Sequence, residues 1–233
     1  IDTPGYAAFV SDAKVAMVAA DSALLVVEAL AGVQVFTERT FEYATSHELP
    51  LMFVVNKLDR ENAVFQTALD SIEASEKPTL ISHVGARALW NTNRMKPDDV
   101  LKACAEKGGV IGIESAPHTT LTAKNPLHCL DSYMEHFEYV AELCGIDHVA
   151  FGPDTLFGDH VGLHHAFASQ LSIASAHAGV AYDEVEYVKG LENPGEVMPN
   201  VARWLVSHGY SDEDIAQVMG QNVLRVLEET WAR

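Results

Sequence analysis

The chain has 233 residues, room for one large domain or two small ones, and its 48% hydrophobic content supports a packed core and argues against disorder. Fifteen Lys and Arg against 33 Asp and Glu give a formal charge of −18 with no basic patch to offset it, so nucleic-acid binding is not expected. The three cysteines form no CxxC pair and leave one over in any disulfide scheme, which reads as packing thiols in a reducing cytoplasm.

In chain order, the sequence opens on Ile1 and runs straight into Asp2-Thr3-Pro4-Gly5, so further sequence upstream is expected. The apolar run Ala23–Val27 predicts a strand, Val35–Ser46 a helix, Leu51–Val55 a second strand and Asn62–Ser75 a second helix. A charged turn at Glu73–Pro78 is the one hint of a join between segments. Beyond it, Thr79–Ser82, Gly109–Ile113 and His148–Gly152 read as strands. Pro97–Lys107, with Asp98 and Asp99 favouring its start, Leu130–Cys144, Val197–Ser207 and Ser211–Gln217 read as helices. Ser211 and Asp214 have the spacing of a capping box. The stretch from Phe157 to Pro199 predicts a functional loop or a partly helical segment. Strands alternating with helices predict an α/β fold of mainly parallel βα units. No apolar run is long enough to span a bilayer, and the start has no signal-peptide pattern.

Two groups of residues carry chemistry. In the first, Asp2 supplies a carboxylate beside Gly5, whose backbone can approach a phosphate closely. Asn56-Lys57-Leu58-Asp59 directly follows a predicted strand, at the end where open α/β sheets bind ligands; Asp and Asn there can read the edges of a guanine while a Lys stem covers its ring. With Ala20–Val27, Ala31-Gly32-Val33, Thr37-Glu38 and Leu58–Asn62 between and after them, these motifs resemble the GTPase domain of elongation factor G over residues 1–75. The resemblance implies a partial P-loop-GTPase-like sheet, with Asp2 and Gly5 facing Mg²⁺ and the γ-phosphate of GTP, and with Asn56, Lys57 and Asp59 reading guanine. The GxxxxGK[ST] loop is absent, and Tyr6 stands where that family usually has a histidine.

In the second, Thr79–His83 is a short strand ending in a histidine, a placement that presents a metal ligand at the C-terminal face of a β/α barrel. Arg94 follows, and Gly145–Asp154 ends a second strand on a carboxylate. Together with Pro97–Leu101, Lys107–Gly112, Trp204-Leu205, Gly209-Tyr210-Ser211 and Gly220–Val226, this order resembles the C-terminal part of the membrane dipeptidase family over residues 78–231. The resemblance implies part of a (β/α)₈ amidohydrolase-type barrel, zinc as cofactor and a small dipeptide as substrate. It assigns His83 to a zinc, Arg94 to the substrate's terminal carboxylate and Asp154 to proton transfer, roles that suit these side chains. No His-x-Asp pair occurs in the chain, so the ligand set expected of the family is incomplete. Met95 stands where that family often has Asn.

The sequence therefore divides into a GTPase-like segment, 1–75, and a dipeptidase-like segment, 78–233. Its first reading is a zinc-dependent dipeptidase-like metallohydrolase, and its alternatives are a guanine-nucleotide-binding module and an inactive truncated or spliced fusion. His160 and His164 would share a helix face and chelate a metal, but Gly158 and Gly162 speak against a rigid helix there. His118, His128, His136 and His148 read as loop or packing histidines; Glu28 and Glu114 follow strands and could serve as pocket carboxylates, with a solvated strand end the first reading of each. The two sets of strands are expected to stack into one continuous sheet.

Overall fold

The computed structural model describes residues 1–3, 5–28, 31–56, 77–166, 185 and 188–231. The predicted helix Asn62–Ser75 and the join at 73–76 lie outside the described residues, as do Lys57 and Asp59. The first part contains α1 (Val10–Val18), β1 (Ala23–Glu28), α2 (Val35–Ser46) and β2 (Leu51–Asn56). After it come β3 (Leu80–Val84), α3 (Asp98–Glu106), β4 (Val110–Ile113), α4 (Leu130–Cys144) and β5 (Val149–Phe151). The chain continues through α5 (His160–Ala166), α6 (Pro194–Ser207), α7 (Asp212–Ala216) and α8 (Asn222–Trp231).

Every strand pairing among the described residues is parallel. The expected single sheet is not seen among the described residues: β1 pairs with β2 in one sheet, and β3-β4-β5 form another. Strand β1 alternates, burying Leu25 and Val27 while exposing Leu24 and Val26, the pattern of a sheet covered on one face. Strand β4 instead buries all four residues, because helices cover both faces of its sheet. On one side Ile111, Ile113 and Val149 join the main core with Leu101 of α3, Phe137 of α4 and Val201 of α6. On the other, Val110 and Ala150 pack against Val226 of α8.

The sheet is strongly curled at its C-terminal edge. The β3–β4 register shifts between Ile81 and Val84, and a Cβ added at Gly112 or at Gly152 would run into the Ser82 carbonyl. Gly152 follows β5, two strands away from Ser82, and in a flat sheet that separation is about 9–10 Å. The bulge and the two glycines together let the edges converge, bringing residues after β3, β4 and β5 to one place.

Two helix termini follow local chemistry. Ser211 and Asp214 form the predicted capping box, with Asp214 N–H donating to Ser211 Oγ at 3.1 Å. The predicted helix Ser211–Gln217 runs on through a π-helical turn, Gln217–Gln221, into α8. Within 157–199, α5 does form: Gly158 turns the chain at φ 94, and the Asp159 carboxylate accepts from Gly162 N–H at 2.7 Å, starting the helix despite its glycines.

Candidate metal and substrate site

The ends of the three curled strands deliver one donor each. His83 is the penultimate residue of β3, Glu114 directly follows β4 and Asp154 follows β5; one ligand atom from each lies within 4.8 Å of the others. Ser82 Oγ is 2.8 Å from His83 Nδ1, a contact that fixes the imidazole's orientation. Asp154 holds a left-handed backbone, φ 53, unusual for a residue with a Cβ. An imidazole and two carboxylates are donor types that catalytic zinc sites use.

Glu114 overturns the expectation of a solvated strand end, because its side chain is fully buried. Arg94 compensates that burial: Nε donates at 2.8 Å to both carboxylate oxygens and Nη2 donates to Oε2 at 2.6 Å. Arg94 Nη2 also reaches Asp154 Oδ2 at 3.2 Å. Burial alone would raise the Glu114 carboxyl, but the charge and hydrogen bonds of Arg94, followed by His83 and Lys96, hold it below its ordinary value. The Arg94 fork that was expected to face a substrate carboxylate is thus engaged with an internal one.

The supporting loops are tightly bonded. Arg87 N–H donates to the Lys96 carbonyl and Lys96 N–H to the Gly85 carbonyl, closing the loop that carries Arg94. After Glu114 the chain stays buried through Thr122. Its polar groups are satisfied internally: Thr120 Oγ1 donates to the Glu114 carbonyl at 3.0 Å, and His118 N–H to His128 Nδ1 at 2.9 Å. His118, His128 and His136 are buried, and His148 is half-buried with Nδ1 2.8 Å from the Gly109 carbonyl. Helix α5 is close enough to the site for Asp154 to act on His160 and for Arg94 and Glu114 to act on His164. Burial first, then the charges of His160, Arg94 and His118, push His164 down to about 4. His160 and His164 stack edge to face at 4.7 Å, but neither belongs to the metal-capable cluster among the described residues. A recess of about 420 Å³ lies beside the start of α3, lined by Arg87, Pro97 and Asp98.

Asp2 and Gly5 are exposed on the backbone ahead of α1, and Asn56 ends β2 beside Glu28. Sequence reasoning weighed Glu114 as a pocket carboxylate but put a solvated strand end first and left it out of the metal site. The signal that could have found it is shared placement, a carboxylate at the C-terminal end of a parallel strand whose neighbours end on His83 and Asp154.

Parallel strands presenting imidazole and carboxylate groups at their C-terminal ends define the α/β metallohydrolase class of site. The chain belongs to the membrane dipeptidase family (peptidase family M19), whose model matches residues 59–174 and 163–232, beginning upstream of the expected boundary at Pro78. It is 28% identical over 174 residues to dipeptidase tcpJ of Claviceps purpurea, an alignment covering 74% of this chain and 34% of that protein. Its fold is similar to the crystal structure of an amidohydrolase from Pseudomonas aeruginosa, with a TM-score of 0.64 and 24% identity, covering 87% of this chain and 58% of that one. It is also similar to a metallopeptidase from Rhodobacter sphaeroides liganded with a phosphinate mimic of the dipeptide L-Ala-D-Ala, with a TM-score of 0.57 and 17% identity, covering 86% of this chain and 48% of that one. The chain spans about a third of the length of the curated relatives it matches.

Proposed function

We propose that this chain is a zinc-dependent hydrolase of small dipeptide-type amides, its site carried by residues 78–233. The observation behind this reading is the convergence of His83, Glu114 and Asp154 within 4.8 Å at the ends of adjacent parallel strands. Zinc held there would polarise the scissile carbonyl as a Lewis acid. His83, oriented by the Ser82 hydroxyl, and the buried Glu114 would hold the ion. Asp154, the exposed carboxylate, would move a proton to the leaving nitrogen. The three free cysteines fit a reducing cytoplasm, and no helix among the described residues is long and apolar enough to cross a membrane.

A guanine-nucleotide role for residues 1–75 is a second reading. Its support is the parallel β1–β2 pair, which sets Asn56 at a strand's C-terminal end. One preparation tests both. The hydrolase reading expects about one zinc per chain, lost in His83→Ala, together with slow hydrolysis of a simple dipeptide or dipeptide amide. Absence of retained zinc would sink it. The nucleotide reading requires GDP binding that Asp59→Asn abolishes, and it fails if GDP does not bind.

A further inference from the structure

We propose that His160 and His164, one turn apart on α5, form a second cation site, separate from the cluster at the strand ends, that takes a borderline-soft divalent transition cation such as Ni²⁺ or Zn²⁺. The inference does not depend on the hydrolase reading above.

Residues four apart on an α-helix lie one above the other on the same face, so α5 sets the two imidazoles side by side. Their ring centres are 4.7 Å apart at an interplanar angle of 88°. A ring nitrogen about 2.0–2.1 Å from a cation puts the ring centre about 3.2 Å from it, so two such rings at a near-tetrahedral angle have centres roughly 5 Å apart. The pair is thus already spaced for one ion. Its nitrogens are also uncommitted. His118, His128, His136 and His148 each have a ring nitrogen in a hydrogen bond inside the chain. His160 and His164 have none among the described residues, and Nδ1 of His164 is buried without a partner. A bare buried nitrogen costs stability, which a bound cation returns. Burial, the largest cause for both, lowers the pKa of each ring, so both are neutral at neutral pH and offer lone pairs to a metal. The charge of Asp154 at His160 favours a cation, and that of Glu114 at His164 works against the charge of Arg94 there. Imidazole donors select cations of the nickel, copper and zinc type over Mg²⁺, which prefers oxygen. With only two protein ligands the site fills from added metal and empties on desalting, so the one retained zinc of the hydrolase reading is unchanged.

The test titrates Ni²⁺ into the full chain carrying His83→Ala, which disables the cluster at the strand ends and leaves the α5 pair to be read alone by calorimetry. About one Ni²⁺ per chain is expected to bind with a micromolar Kd, and adding His164→Leu to weaken binding at least about tenfold. His165→Leu, the next position on the same helix, should leave it within about twofold, and Mg²⁺ should not compete. A second readout needs no substitution: in the unmodified chain, paramagnetic Ni²⁺ should broaden the ring resonances of His160 and His164 at lower concentration than that of exposed His208. Ni²⁺ that binds equally well with His164→Leu, or that broadens His208 as readily as His164, overturns the inference. So does a His83→Ala chain that takes up no Ni²⁺, and that result leaves the hydrolase reading intact. Zinc retained through desalting decides the hydrolase reading separately, because that reading ties it to His83 and His164→Leu leaves it in place.

Discussion

His136 gives the most direct test of how burial governs this fold. Its ring is fully enclosed, with Nδ1 accepting from Ala86 N–H at 2.9 Å and Nε2 meeting the Leu121 carbonyl at 2.9 Å. Burial lowers its pKa from 6.5 to about 4, outweighing the Leu121 carbonyl and the charges of Glu114 and Glu135. The folded state therefore binds fewer protons than the unfolded state between those values, and stability is full above about pH 6.5 and falls as pH drops toward 4. The shift corresponds to ~3 kcal/mol in total, of which ~1.3 kcal/mol should be lost between about pH 7.5 and about pH 5.5. Urea unfolding at the two pH values, on the unmodified chain and on His136→Asn, isolates this share from the other histidines. Asn can still accept from Ala86 N–H but leaves the Leu121 carbonyl bare, so the variant is expected to be weaker by about 1–3 kcal/mol at neutral pH and to have a shallower pH slope. Equal slopes in the two proteins would refute the argument.

Gly152→Ala places a Cβ against the Ser82 carbonyl, with Ser82 C at 3.0 Å and His83 Cα at 3.5 Å, all backbone atoms. It is expected to cost roughly 1–3 kcal/mol in thermal unfolding and to weaken zinc binding by moving His83, whereas Gly5→Ala, with nothing within 4 Å, should be neutral. Asn222 Nδ2 donates to the carbonyls of Ile146 at 2.8 Å and Val149 at 2.9 Å in a buried position. Asn222→Ala is expected to cost roughly 2–3 kcal/mol, measured as a lower urea midpoint with an unchanged slope.

Local signals decided which elements were legible in the sequence. Val35–Ser46 and Leu130–Cys144 match the predicted helices at both ends. In each, a hydroxyl three residues on accepts from the capping residue's N–H, Thr37 Oγ1 from Gln34 at 3.4 Å and Ser132 Oγ from Cys129 at 3.1 Å, a pattern written in nearby residues. The strands were found from short β-branched runs, but β3 extends to Val84 because its bulge carries Ser82 and His83, exposed, past the point where the apolar run stops. Helix α1 was missed because it buries only Ala13 and shows no apolar stripe. In the site, His83 and Asp154 were visible as polar residues ending strands. Glu114 ends a strand too, but what distinguishes it is a partner twenty residues away in sequence, and no local pattern encodes that. For the same reason Arg94 could be found while its internal engagement could not.

The left-handed backbone of Asp154 has a bearing on engineering. A glycine would sit at φ 53 without the steric conflict that any Cβ meets there, so a stability screen run blind to chemistry should favour Asp154→Gly. That substitution would strip the exposed carboxylate from the cluster with His83 and Glu114. Position 154 is thus where thermal robustness and reactivity ask for different residues, and a variant library scored on both axes should show them pulling apart there.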